Sequence, residues 1–179
     1  LERVVHAVPH DITLAKAGEL GGVMTRLADD LAQRTENESL AAPATFLFIH
    51  GLQHFKKLRQ DEDFSFTLEA GEKSGNPAAQ LLKLVNEGAS HGMHVIATVD
   101  TYNNVNRFLG RKALNEFEMR VLFQMSTNDS ASLCDDPKAS ALGLHRALFF
   151  NEQEGCLETF RPYALPGNEW IEQTDRNLA

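Results

Sequence analysis

The stretch Ala44-Thr45-Phe46-Leu47-Phe48-Ile49-His50-Gly51-Leu52 decides how the chain is read. Four large apolar residues, Phe46 to Ile49, run without interruption and stop at His50-Gly51. The run is too short for a helix of ordinary length. It fits a strand buried on both faces, the kind found inside a parallel sheet. In open α/β sheets, ligands gather at the carboxyl ends of the strands. The residues just past Ile49 are therefore the first place to look for chemistry, and His50 and Gly51 stand there.

Working outward, residues 94–99 and 120–125 carry the same apolar signature of buried strands. Between them the spacing turns helical. Leu20, Val23, Met24, Leu27 and Leu31 form one stripe. Asp11 is an early N-cap, but Gly18, Gly21 and Gly22 weaken the segment after it, so the firm helix is expected over 20–34. Residues 35–43 read as a surface loop. Pro77, capped by Asn76, opens a second helix whose Leu81, Leu82, Leu84 and Val85 face the sheet; Gly88 or Gly92 ends it. Residues 103–117 read as a helix that Gly110 breaks in two. Ser130 reads as the N-cap of a short helix, and Pro137 restarts another that runs to Leu142, with Gly143 as its stop. Residues 146–150 and 157–163 are strands joined by Asn151-Glu152-Gln153-Glu154-Gly155, a hairpin signal. A short strand is expected over 3–8. Residues 53–76, with Asp61-Glu62-Asp63, Gly71 and Gly75, read as an exposed polar excursion. Residues 1–165 then form the domain, and 166–179 a polar tail docked by Trp170. Alternating strands and helices predict an α/β fold: a mostly parallel sheet, helices on both faces, and a C-terminal antiparallel hairpin.

The chain has 25 acidic and 17 basic residues, a net charge of −8. That balance repels a phosphate backbone and argues against free-standing nucleic-acid binding. The strip Lys56-Lys57-Leu58-Arg59 is the local exception, read either as a phosphate contact or as a solvated face. Cys134 and Cys156 are too few for a disulfide framework, which points to a reducing, cytoplasmic setting. Cys134 is read as a core thiol. No apolar run approaches the ~18 residues that span a bilayer, so no membrane contact is expected. The absence of an initiator Met suggests a piece of a longer chain.

From residue 77 onward the order of features resembles the FtsK/SpoIIIE branch of the RecA-like motor ATPases. Members have a strand reading roughly Gly-Ile-His-Leu-Ile-Leu-Ala-Thr-Gln-Arg-Pro. This chain reads Gly92-Met93-His94-Val95-Ile96-Ala97-Thr98-Val99-Asp100-Thr101. A later strand resembling Thr-Arg-Ile-Ala-Phe-Gln-Val-Ser is matched by Met119-Arg120-Val121-Leu122-Phe123-Gln124-Met125-Ser126, and the Asp-Ser-Arg after it by Asp129-Ser130-Ala131. Ala139-Ser140-Ala141-Leu142-Gly143 then precedes the hairpin, where members carry Ala…Leu-Leu-Gly. Upstream, Leu27 to Arg34 matches the helix before the family's Walker B strand, and Phe46 to Ile49 sits where that strand belongs. The resemblance covers roughly residues 20–163.

The departures fall on the family's catalytic positions. The acidic pair after the Walker B strand, which manages magnesium and water, is replaced by His50-Gly51. The sensor-like Gln maps to Val99, the Arg after it to Asp100, and the Arg after Asp-Ser to Ala131. No Gly-x-x-x-x-Gly-Lys-Ser/Thr phosphate loop occurs in the chain. The resemblance therefore implies a degenerate nucleotide-binding position at His50, Gly51, Val99 and Asp100 and no catalytic residue. It implies a structural or regulatory module of a larger translocase-like assembly. The alternative is an ATPase lobe whose phosphate loop lies upstream, with Asp100 as its local acid. ATP and Mg2+ are implied for the full-length parent and no cofactor for this piece. Partners would be further copies or other domains of the parent, with DNA reached only through the parent. His50 and His54 are four apart, with His91 and His94 nearby, a spacing that can hold zinc on a helix. No carboxylate or Cys completes the set, so no metal site is expected. Ser130 lacks the Gly-x-Ser-x-Gly elbow of a nucleophile.

Overall fold

The computed structural model describes residues 5, 8–37, 42–60 and 75–178. Of the strand expected over 3–8, only Val5 and Val8 are described and neither lies in a strand. The run Asp61-Glu62-Asp63 and Gly71 lie outside the described residues.

Helix α1 spans Leu20–Glu36, close to its expected bounds. Met24 and Leu31 are fully buried along its apolar stripe. Strand β1, Thr45–Ile49, comes next. Helix α2, Pro77–Glu87, starts as its sequence requires: Asn76 Oδ1 accepts from Ala78 N at 2.9 Å, and Pro77 occupies the first turn. Its Leu81 and Leu84 are buried. A 3₁₀ turn, Gly88–His91, leads into β2, Met93–Ala97. Gly88 is required there, because a Cβ would stand 2.7 Å from the Met93 carbonyl oxygen. β1 and β2 pair in parallel, with Thr45 opposite Met93 and Ile49 opposite Ala97, and α2 makes the crossover.

Helices α3 (Tyr102–Phe108) and α4 (Gly110–Asn115) come after β2. The break falls where expected, with Gly110 at φ +64°. β3 spans Met119–Leu122, α5 Thr127–Cys134, β4 Ala147–Asn151 and β5 Cys156–Phe160. The hairpin β4–β5 forms as predicted, and β3 pairs antiparallel with β4. Ser126, not Ser130, caps α5 by accepting from Asp129 N at 3.1 Å. Ser130 lies inside the helix, fully buried, donating to Asp136 O and accepting from Ala139 N. Cys134 is in the core beside it.

The fold is thus mixed α/β, but the described strands make two sheets: the parallel pair β1–β2 and the antiparallel β3–β4–β5. The expected single, mostly parallel sheet is replaced by one parallel pair and two antiparallel ones. Among the described residues no ladder joins β2 to β3, so the two strands have not closed up against each other. Both sheets nonetheless feed one hydrophobic core, which includes Ile49, Met93, Leu122 and Leu148.

A second correction concerns the faces. β1 is buried on one face only. Leu47, Ile49, Met93 and Val95 point inward, while Phe46, Phe48 and Ile96 point outward and are exposed, Phe48 to 67%. Alternation along the strand separates the two sets. An unbroken apolar run reports only that both faces avoid charge; it does not supply the second layer. The antiparallel sheet behaves alike, with Leu122 and Leu148 buried and Met119 and Val121 exposed. The polar C-terminal tail contains a helix. Asn168–Leu178 form helix α6, no residue of which is buried, and Trp170 is 61% exposed rather than docked. Among the described residues no helix is long and apolar enough to cross a membrane.

Candidate functional site

The crest where β1 and β2 end is built around Thr98, one residue past the end of β2. Its backbone N–H donates to Ile49 O, and its carbonyl accepts from Leu52 N, both at 2.9 Å. Its hydroxyl accepts from Gly51 N at 2.8 Å and lies within hydrogen-bond reach of His50 Nδ1 at 3.3 Å. Gly51 sits at φ +71°, where an L side chain is strained, and a Cβ there would stand 2.6 Å from His54 Cδ2. The turn Leu52–His54 then starts with Leu52 driven fully into the core. Beside it Gln53 Oε1 is buried without a hydrogen-bond partner among the described residues.

All four expected positions lie at this crest, but they do not make one site. His50 and Gly51 are joined to each other through Thr98. Val99 is half-buried against the core and offers no polar group. Asp100 is exposed and faces the start of α3 instead. It accepts from Asn104 Nδ2 at 2.7 Å and from Thr101 Oγ1 at 3.3 Å. These bonds, that of Asn104 foremost, hold its carboxyl below the usual carboxylate range despite some desolvation. Thr101 itself caps α3. Ala131 lies on α5, within the other sheet's layer.

The four histidines do not converge. His50 and His54 are at the carboxyl ends of the strands, whereas His91 precedes β2, a strand length of roughly 17 Å away. The His91 ring approaches Thr35 Oγ1 at 3.4 Å, and His94 stacks on Phe46 at 5.1 Å between ring centroids. Among the described residues no three His, Cys, Asp or Glu side chains stand together as metal ligands.

A magnesium nucleotide needs oxygen ligands for the cation and donors around the phosphates. Among the described residues the crest supplies one carboxylate, Asp100, with its Oδ1 bonded to Thr101 and Asn104, and two imidazoles, His50 and His54. The described residues of the crest do not fit that group. What the arrangement does is lock the turn after β1 to the end of β2 through side-chain bonds.

Two arginines that the sequence pattern does not single out do comparable work. Arg34, at the end of α1, is buried. It pairs with Asp30 at 3.0 Å and donates to His91 O at 3.0 Å and Thr45 Oγ1 at 2.9 Å, fastening the starts of both parallel strands. The available signal is the Asp30–Arg34 spacing of four on a helix. Arg120, on β3, donates to Phe117 O, Leu133 O and Leu114 O and lies over the Phe150 ring. No known protein family, characterised protein or solved structure gives a match to the chain.

Proposed function

We propose that the chain is the degenerate second half of a RecA-like, FtsK/SpoIIIE-type domain, serving as a structural or regulatory module in a larger translocase-like assembly. The observation that carries this reading is the Thr98-centred lock. The place where a motor of that family keeps an acidic pair holds His50 and Gly51 tied to the neighbouring strand. Phosphoryl transfer depends on positioned charge and metal, and a crest of this kind supplies neither. The order of β1, α2, β2, two helices and β3, with a hairpin after them, supports the RecA-like comparison. So does the common core beneath both sheets.

Isothermal titration of the chain with ATP and magnesium, alongside a phosphate-release assay, tests the reading. No heat of binding and no turnover are expected. Magnesium-dependent phosphate release that Asp100→Asn abolishes would overturn it and establish the ATPase-lobe alternative.

A further inference from the structure

The basic strip does not lie alone. Leu58 is fully buried and anchors it, while Lys56, Lys57 and Arg59 are exposed. Gln60 ties the strip to the junction of α3 and α4. Its N–H donates to Arg107 O at 3.1 Å, and its Nε2 donates to Leu109 O at 2.7 Å. Its amide lies over Gly110, where a Cβ would stand 3.2 Å from Gln60 Oε1. Arg107, Arg111 and Lys112 are exposed at that junction. The fold thus gathers six cations from two segments about fifty residues apart in the chain. Among the described residues none of the six forms an ion pair. Asp61, Glu62 and Asp63 come directly after the strip in sequence, outside the described residues.

The same chain carries an opposite surface. The β3–β4–β5 register brings Glu118, Glu152 and Glu154 to the turn end of the hairpin, with Glu158 at the middle of β5 and Glu116 shortly before β3. Arg120 reaches Glu152 at 3.5 Å, and Gln153 caps Glu118. Cys156 registers the field: its thiol is pushed up by desolvation and then by Glu158 and Glu154. Six of the 17 basic residues stand on the first surface, which leaves 11 against 25 acidic residues over the rest of the chain.

We propose that the Lys56–Arg111 basic surface is a self-association site that seats on the hairpin carboxylates of a second copy of this chain, with the reciprocal contact completing the pair. Residue i meeting j while j meets i is the arrangement that a two-fold interface requires. Net charge repels two copies, but that term is spread over the surface and is screened beyond ~8 Å at physiological salt, whereas apposed patches meet within that distance and are screened less. Nucleic acid is the rival occupant. It meets the same repulsion and brings only one sign of charge, so it leaves the hairpin carboxylates unanswered. Self-association of this kind needs only the placement of these charges and stands independently of the degenerate-motor reading.

Sedimentation equilibrium of the full chain at about 50 mM and about 500 mM salt tests it, because contacts of this type weaken with screening. Two charge-reversed variants are compared, Arg111→Glu with Lys112→Glu, and Glu154→Lys with Glu158→Lys. All four side chains are exposed, so thermal melting should match the unmodified chain. The unmodified chain should associate at low salt and about tenfold more weakly at high salt. Each variant alone should associate more weakly than the unmodified chain, and an equimolar mixture more tightly than either variant. A monomer at low salt, association indifferent to both reversals, or a loss that mixing does not recover would each overturn the proposal. So would binding of a short DNA duplex that Arg111→Glu with Lys112→Glu removes while self-association is absent; that result assigns the surface to nucleic acid.

Discussion

The parallel pair and the antiparallel sheet solve the same problem by different means. β4 and β5 are joined by a tight hairpin that sets their register, while β3 meets β4 across an intervening helix, with Met119 opposite Asn151. β1 and β2 lie 48 residues apart at each paired position, so no short turn fixes their register. There the work falls on side chains: Arg34 grips both strand starts, and Thr98 grips both strand ends. Arg120 has a different task. It fastens the sheet to the last carbonyls around α4 and α5, where a cation also meets the negative end of a helix. The parallel pair is therefore held by clamps at both ends, whereas β3, also paired at long range, is clamped to its supporting layer and its partner β4 is fixed by the hairpin to β5.

The largest effect should come from putting charge on the inner face. Ile49 is 7% exposed and Val121 is 52% exposed. Ile49→Asp leaves an unpaired carboxylate in the shared core and should cost about 3–5 kcal/mol, enough to unfold a domain of ordinary stability. Val121→Asp faces outward and should cost about 1 kcal/mol through strand preference alone. His50→Ala should leave the chain folded, since the ring is exposed at the strand end. Urea denaturation monitored by circular dichroism separates the three. Equal losses at Ile49 and Val121 would mean that the inner and outer faces are wrongly assigned.

The next effect separates the clamps. Arg34→Met strands Asp30, Thr45 Oγ1 and His91 O, and Arg120→Met strands three carbonyls; each should cost about 2–3 kcal/mol. Hydrogen exchange shows where the loss falls. Arg34→Met should speed exchange in residues 45–49 and 93–97 and spare the hairpin. Arg120→Met should speed exchange in residues 119–122 and the neighbouring helix ends. Uniform acceleration in both variants would show that the two sheets open as one unit, and the contrast between the two clamps would fall.

The legible parts of the sequence are those fixed by neighbours in the chain. Asn76-Pro77 starts α2, Gly110 splits α3 from α4, and residues 151–155 turn the hairpin, because caps, positive φ and turns are local chemistry. Layers are less legible. Phe46 and Phe48 have the composition of a doubly covered strand, yet their exposure depends on what lies opposite, which no local pattern encodes. The same holds for the site. His50, Gly51 and Asp100 are found by their place past strand ends, but Thr98 is not, because its role exists only once Gly51 has been brought to it by the parallel register. Ser130 reads as a cap in sequence, but Ser126, four residues earlier, offers the same hydroxyl in the better place.

The smallest effect sharpens the comparison at the crest, where the parallel pair carries an ionised group of its own. Asp100 has a carboxyl held below 3.8, chiefly by the Asn104 amide. A lowered folded-state pKa means that the folded chain binds its proton less readily than the unfolded chain. The resulting stabilisation is fully present above the unfolded value near 3.8 and is lost as pH falls through the lower folded value. Asp100→Asn keeps an oxygen for Asn104 but removes the charge, so it isolates this pH-dependent part. The denaturation midpoint of the variant should lie below that of the unmodified chain at neutral pH, by less than either arginine change, because the group is exposed and screened. The two midpoints should converge only in the acid window below 3.8, with no change between neutrality and mildly acid pH. A gap that persists undiminished through that window would mean that the Asn104 bond holds Asp100 by geometry alone. The crest would then be fastened, like the rest of the parallel pair, without help from charge.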